Sequence, residues 1–413
     1  MGLMPSWVAS ANRPDTDFPL NNLPYGVFST GGTPRCGVAI GDMILDVSAA
    51  EAAGLTGTRG LCQDGVWNPL MAAGPPVWAS FRQRLTELLA EGSDHVAALT
   101  PMLHPAADAV MHLPLTVAEF TDFYASRQHA TNVGTMFRGA ENALPPNWLH
   151  IPIGYNGRAS TVVVSGTPIH RPNGQTRAKD VAMPAFGPST RLDIELEIGT
   201  IVGTPSKMGQ PVTVDQAQGM IFGHVLLNDW SARDIQAWEY QPLGPFQAKA
   251  FATSISPWIV TTAALAPFAT PTPPRDHDLL PYLAEDAPSL FDIELSVALS
   301  TGGAAQTISR TNMRHLYYSP AQQLAHHASS GCAMRTGDLL GSGTISGDGD
   351  DSMGSLLELT WGGERPLQLA DGQTRSFLQD HDTVTLAGHA QGDGYRVGFG
   401  SCTGQILPAP RFP

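Results

Sequence analysis

The run Leu192-Asp193-Ile194-Glu195-Leu196-Glu197-Ile198-Gly199 alternates acid and aliphatic side chains with a period of two. In a β-strand that period sends Asp193, Glu195 and Glu197 to one face and Ile194, Leu196 and Ile198 to the other. Three carboxylates on one face repel each other unless something positive lies among them, and a hard divalent cation with oxygen ligands would serve. The competing reading is the solvated outer face of a half-buried edge strand. The pattern alone fits both.

Other reactive types cluster elsewhere. In residues 120–132, Asp122, Tyr124, Arg127 and His129 crowd together, with Arg138 and Glu141 close behind. Polar and aromatic side chains this dense between apolar strands indicate a loop held at a site; the alternative is a solvated helix with His129 on its outside. Tyr155 precedes the strand-like Thr161-Val162-Val163-Val164-Ser165. Further on, Asn228 or Asp229 is placed to cap a helix, putting Asp229, Arg233, Gln236 and Tyr240 on one face. An acid at a strand mouth with an arginine one turn later aims two opposite charges at one ligand. The same spacing also fits a surface pair worth about 0.3 kcal/mol. A Pro- and Gly-rich turn at 242–246 delivers Lys249 and Thr253, and a turn-rich loop at 337–347 carries Thr344. Glu358 is a lone acid in the apolar run 355–361, expected as a strand. A buried carboxylate is costly unless paired, so a partner such as an imidazole is required.

The elements that must position these groups are mostly β. With Gly 43 and Pro 34 in 413 residues, the chain has many turns and short strands. Strand signals lie around Val27-Phe28, at Cys36-Gly37-Val38-Ala39-Ile40 and at Met43-Ile44-Leu45-Asp46-Val47, followed by an amphipathic helix at 78–91. Nothing in residues 1–114 groups titratable side chains, so this part reads as an accessory domain and 115–413 as the one that carries the chemistry. The formal charge of −14 argues against a nucleic-acid surface but leaves room for a small anionic substrate bound by local Arg and Lys. Cys36, Cys62, Cys332 and Cys402 are scattered without CxxC spacing, as expected of reduced thiols in a cytoplasmic protein. No secretory pattern is evident in residues 1–12, no stretch approaches the length of a membrane span, and no P-loop or GxGxxG pattern is present. Adjacent residues His326 and His327 would point about 100° apart on a helix and read as structural.

The motifs Asp122-Phe123-Tyr124, Gln128-His129-Ala130-Thr131-Asn132-Val133-Gly134, Pro146-Asn147-Trp148-Leu149-His150, Asp193-Ile194-Glu195-Leu196-Glu197, Asn228-Asp229-Trp230-Ser231-Ala232-Arg233-Asp234-Ile235-Gln236 and Ser342-Gly343-Thr344-Ile345-Ser346-Gly347 stand in an order that resembles the fumarylacetoacetate hydrolase family. The N-terminal Leu23-Pro24-Tyr25-Gly26-Val27-Phe28-Ser29-Thr30 belongs to the same likeness, which spans nearly the whole chain. The resemblance implies a mainly β (α+β) fold: a small N-terminal SH3-like barrel, then a larger C-terminal mixed β-roll domain, assembled as a cytoplasmic homodimer. It implies hydrolysis of the carbon–carbon bond of 4-fumarylacetoacetate to fumarate and acetoacetate, the last step of tyrosine and phenylalanine breakdown. Carried over by position, Asp122, Glu195, Glu197 and Asp229 match the metal-binding acids, for calcium or magnesium. His129 matches the general base and Glu358 the acid that orients it. Arg233, Gln236 and Lys249 match the groups that stabilise negative charge. Tyr124, Arg138, Tyr155, Gln236, Tyr240 and Thr344 match substrate contacts, and Asp229, Lys249 and Thr253 match contacts to a second magnesium ion. Asp193 has no assigned role. Two positions depart from the family: Asn156, where histidine is usual, and Ala252, where glycine is usual; the first bears on the pocket entrance and the second on the secondary magnesium site.

Cleaving a β-diketo acid with water needs a base, a Lewis acid and fixed positive charge where the enolate forms, and the carried-over residues supply each. The rivals are hydrolysis of an acylpyruvate or other β-diketone on the same metal site, and a purely structural calcium site in a binding protein. A glycosidase is disfavoured, because Glu195 and Glu197 lie side by side instead of flanking a scissile bond.

Overall fold

The computed structural model describes residues 2–178 and 180–412. Its first sheet is an antiparallel meander of β1 (Tyr25–Ser29), β2 (Arg35–Ile40), β3 (Met43–Asp46), β4 (Leu103–Pro105) and β5 (Val110–His112), ordered β4-β3-β2-β1-β5. Helix α1 (Pro75–Leu89) buries Phe81, Leu85, Leu88 and Leu89. It starts three residues before the expected 78, because prolines at its first two positions need no N–H partner there. Trp67 is fully buried beside these residues, and its indole N–H donates to the carbonyl of Gly26 at 2.8 Å.

The larger C-terminal part is built on a mixed sheet of β6 (Phe120–Phe123), β7 (Gly154–Asn156), β8 (Val162–Val164), β9 (Leu196–Val202), β10 (Ile221–Asp229), β11 (Thr253–Ile255) and β12 (Leu339–Gly341), ordered β7-β6-β12-β9-β10-β11-β8. The strand Val260–Thr261 pairs with β10 off this path. A second, five-stranded sheet contains Glu294–Ser300, Gln306–Asn312, Thr383–Gln391 and Arg396–Leu407 as its long strands. Ile194, Leu196 and Ile198 pack in one core with Leu295, Val297, Leu386 and Phe399 of that sheet. Each such aliphatic side chain contributes about 1.5–3 kcal/mol when fully buried, so the apolar half of the acidic stretch anchors the carboxylate half. The chain is mainly β, and among the described residues no helix is long and apolar enough to cross a membrane.

Four local expectations are corrected. Residues 192–199 are not one strand: Leu192–Asp193 pairs with Ser231–Ala232, and β9 begins only at Leu196. All eight residues are buried, which removes the solvated-face reading. Residues 120–132 are not a loop but β6 followed by helix α2 (Arg127–Arg138), capped by the Ser126 hydroxyl; His129 sits on its buried side. Neither Asn228 nor Asp229 caps a helix, because both remain in the β10–β11 ladder; helix α3 (Arg233–Glu239) starts at Arg233. Glu358 lies not in a strand but in a single-turn helix, α4 (Leu356–Leu359), whose cap is Ser355.

Candidate active site

Three strands converge on one buried group of four acids. Asp122 comes from β6, Glu197 from β9, Glu195 from the residue before β9, and Asp229 from the end of β10. One oxygen from each lies within 4.8 Å of the others. Strand β12 runs between β6 and β9 with Gly341 opposite both Asp122 and Gly199. A Cβ at Gly341 would stand 2.6 Å from Asp122 Oδ1 and 2.8 Å from Glu197 Oε2, so only glycine leaves the carboxylates room. The Gly343 N–H donates to Glu197 Oε2 at 3.0 Å. Asp122 Oδ1 and Glu197 Oε1 are buried with no hydrogen-bond partner among the described residues. Burial, then the neighbouring charge of Asp229, pushes the Asp122 carboxyl well above its ordinary value. Burial, then Asp122 and Asp229, does the same for Glu197. Unpaired, mutually repelling buried oxygens are what a hard cation would satisfy, and an all-oxygen donor set suits calcium or magnesium over softer metals.

Two cations border the acids. Lys249 Nζ donates to Glu195 Oε2, and to Asp229 Oδ2 at 2.8 Å. Burial disfavours the Lys249 charge, but Asp229 and Glu195 outweigh it and raise its pKa. The Lys249 ammonium is thus a charge partner of both acids. Arg233 pairs through Nη1 with Glu195 Oε1 at 2.7 Å and through Nε with Asp193 Oδ2 at 2.8 Å. Its Nη2 is buried and unpartnered. Burial works against charge on Glu195, yet Lys249 and Arg233 hold its pKa down to about 2. Tyr155 and Thr253 donate their hydroxyls to the two oxygens of Asp229 at 2.9 and 3.0 Å.

Across the cavity, His129 Nδ1 lies 2.6 Å from Glu358 Oε2. Burial opposes ionisation of Glu358, but His129 and donors from His129, Asn132 and Ser355 bring its pKa below the ordinary value. An ionised acceptor at Nδ1 fixes that nitrogen as the donor and leaves Nε2 with a free lone pair. Asn132 Nδ2 donates to Glu358 Oε1 at 2.9 Å, and Ser346 and Ser355 donate to Oε2 at 3.0 and 2.7 Å. The Tyr124 ring meets the imidazole edge-on, with centroids 5.3 Å apart.

Two of the acids, Asp122 and Glu195, and the imidazole open into one cavity of about 440 Å³. Asp122, Glu195, His129, Arg233, Gln236 and Lys249 all line it, as do Tyr124, Arg138, Tyr155, Tyr240 and Thr344. The Thr344 hydroxyl is buried and unpartnered. Arg138 donates to the carbonyls of Asn142 and Ala143 at 3.1 and 2.6 Å, which ties down the turn after α2. Glu358, Glu197, Asp229 and Thr253 sit behind this wall. A larger, more open hollow of about 670 Å³, bordered by Arg127, Thr131, His315 and Asp348, contains none of the four acids. Of the two departures, Asn156 is exposed, next to Tyr155 on β7, and does not border the cavity; Ala252 packs in the core. His326 and His327 bond to Tyr282 and Thr121, consistent with structural roles. Sequence reasoning passed over Asn132, Ser346, Ser355 and Gly341. Only Asn132 carried a signal, three residues after His129 and therefore on the same helical face.

A profile for the fumarylacetoacetate (FAA) hydrolase C-terminal region matches residues 119–406, and one for the fumarylacetoacetase N-terminal region matches 21–114. The chain belongs to the fumarylacetoacetate hydrolase family. It is 52% identical over 407 residues to the fumarylacetoacetase of Rattus norvegicus, covering 96% of this chain and 97% of that one. It is 48% identical over 423 residues to that of Arabidopsis thaliana, covering 99% and 100%. Among solved structures, a fumarylacetoacetate hydrolase from Exiguobacterium antarcticum aligns with a TM-score of 0.53 at 15% identity, covering 94% of this chain and 99% of that one. A maleylpyruvate hydrolase from Sphingobium aligns with a TM-score of 0.51 at 16% identity, covering 94% and 100%. These two show that the fold is shared.

Proposed function

We infer that this chain is a metal-dependent fumarylacetoacetase, hydrolysing the carbon–carbon bond of 4-fumarylacetoacetate to fumarate and acetoacetate. The observation that carries the reading is one cavity lined by Asp122 and Glu195 of a four-acid cluster and by a Glu358-braced His129, with Arg233 and Lys249 also in its wall. Relatives named fumarylacetoacetase, about half identical over essentially the full chain, favour this substrate over an acylpyruvate or other β-diketone. A purely structural ion site would leave His129 and Glu358 without a task.

When bound at Asp122, Glu195, Glu197 and Asp229, a Ca2+ or Mg2+ ion would supply Lewis acidity toward the diketone oxygens. His129 Nε2 takes a proton from water, while Glu358 keeps Nδ1 protonated and balances the imidazolium. The water oxygen adds to the carbonyl of the fumaryl group and ends in the fumarate carboxylate. Collapse of the adduct breaks the carbon–carbon bond and expels acetoacetate as its enolate, which takes up a proton. Arg233 through Nη2, Lys249 and Gln236 stabilise the charge that develops on oxygen. Tyr124, Arg138, Tyr155, Tyr240 and Thr344 hold the substrate. Asp229, Lys249 and Thr253 are the residues that would contact a second magnesium. The protein acts as a cytoplasmic homodimer in the pathway of tyrosine and phenylalanine breakdown, with residues 115–413 as its catalytic domain and 1–114, SH3-like, as the accessory one.

The test follows absorbance of the conjugated diketone with metal-stripped protein, then with Ca2+ or Mg2+ restored. Turnover is expected only with the ion. Turnover of acylpyruvate but not of fumarylacetoacetate would replace this reading with its alternative.

A further inference from the structure

We propose that Asp193 is a positioning residue that sets Arg233 and the Glu358-bearing turn in register with each other. The proposal rests on the hydrolytic reading above. Asp193 is fully buried and stands outside the four-acid cluster. Its carboxylate is saturated by four donors. Oδ1 accepts from the N–H groups of Ile194 and Leu356, both at 2.7 Å, and Oδ2 from the Leu357 N–H at 3.0 Å and Arg233 Nε at 2.8 Å.

Two of those donors open the turn α4, whose third residue is Glu358. The acid that braces His129 is thus tied to the same carboxylate that grips the arginine on the opposite side of the site. Arg233 uses Nε on Asp193 and Nη1 on Glu195 and Gln236, which leaves Nη2 as the unpartnered donor. Without Asp193, Glu195 would be its remaining carboxylate partner, and the planar fork would lose the contact that fixes its rotation. Only an acceptor-only group fits: an amide would turn an N–H toward one of the four donors.

The experiment compares the metal-loaded wild type with Asp193→Asn, and with the smaller Asp193→Ser in case the amide does not fold. Turnover of fumarylacetoacetate by the wild type tests the parent reading by itself. For a folded variant, kcat is expected to fall at least 30-fold with KM and the Mg2+ or Ca2+ dissociation constant within 3-fold. The downfield proton signal of the His129 Nδ1–H bond is expected to shift or vanish, a readout that needs no turnover. In the Asp193→Asn, Arg233→Lys pair, the double variant is expected to be no slower than the slower single, because both disturb one unit. A kcat within 3-fold of wild type, additive losses in the pair, an unmoved proton signal, or a metal affinity weakened more than 10-fold would each overturn the proposal. Failure of both variants to fold would make Asp193 a folding residue and overturn it as well.

Discussion

Replacing Glu358 by glutamine separates bracing of the base from simple stability. Oε2 of Glu358 accepts from His129 Nδ1, Ser346 and Ser355, while Oε1 accepts from Asn132 Nδ2. Glutamine offers a single acceptor oxygen. Placed at the Oε2 position, its amide nitrogen faces the Asn132 amide, and one buried donor goes unmet at about 1–3 kcal/mol. Placed the other way, three donors lose their partner, so the first orientation is expected. The imidazole would then keep its tautomer but lose the negative charge that stabilises imidazolium. That charge is the larger catalytic effect, and kcat is expected to fall ~10²–10⁴-fold, the range for a disabled general base. Adding Asn132→Asp supplies the missing acceptor and is expected to recover the melting temperature without recovering kcat. Steady-state turnover and thermal melting of the three proteins decide it. A Glu358→Gln enzyme within 3-fold of wild-type kcat would refute the assignment of His129 as a base braced by Glu358.

His129→Ala is expected to abolish turnover while calorimetric titration still shows ion binding; loss of the ion would make His129 a ligand. Because Asp122 and Glu197 are raised above the ordinary values of 3.8 and 4.5, their contribution to stability is present below those values and lost as pH rises through the raised ones. Metal-free protein is therefore expected to lose melting temperature as pH rises toward neutrality, and adding the ion to reverse the loss with release of protons, read by calorimetry in buffers of different ionisation heat. Ion binding without proton release would contradict the raised values. Gly341→Ala is expected to cost about 1–3 kcal/mol of overpacking and to weaken ion binding at least 10-fold, since its methyl would enter the space between Asp122 and Glu197. Unchanged ion affinity would show that the carboxylates have slack.

Glu195 and Glu197 stood out because they alternate with Asp193 within an apolar run, a pattern that fitted a solvated face as well as a metal site, and Asp122 and Asp229 joined them only through the resemblance to the family. Where the run breaks was not legible. The interruption before Leu196 depends on Leu192 and Asp193 pairing with Ser231 and Ala232, nearly forty residues on. Glu358 was recognised as a buried acid in need of an imidazole, and His129 is its partner. Its setting was misread because a short apolar run has no period long enough to separate strand from helix. Ser355 as cap and Asp193 as acceptor for two backbone N–H groups decide the matter, and the latter is a contact across more than 160 residues. The role proposed for Asp193 was invisible for the same reason, since three of its four donors, from Arg233, Leu356 and Leu357, lie 40 or more residues away.

The acids are delivered by strands that begin at Phe120, Leu196 and Ile221, with Leu339–Gly341 wedged among them. No contiguous peptide among the described residues therefore brings the four acids together, and a partly folded intermediate lacking β12 would have no cage to offer an ion. The ion's binding energy is then coupled to global opening more than to local fraying. Amide hydrogen exchange should register this as slowing spread across β6, β9, β10 and β12 together when the ion is added, while helix α1 in the first domain, which contributes no ligand, keeps its own rate.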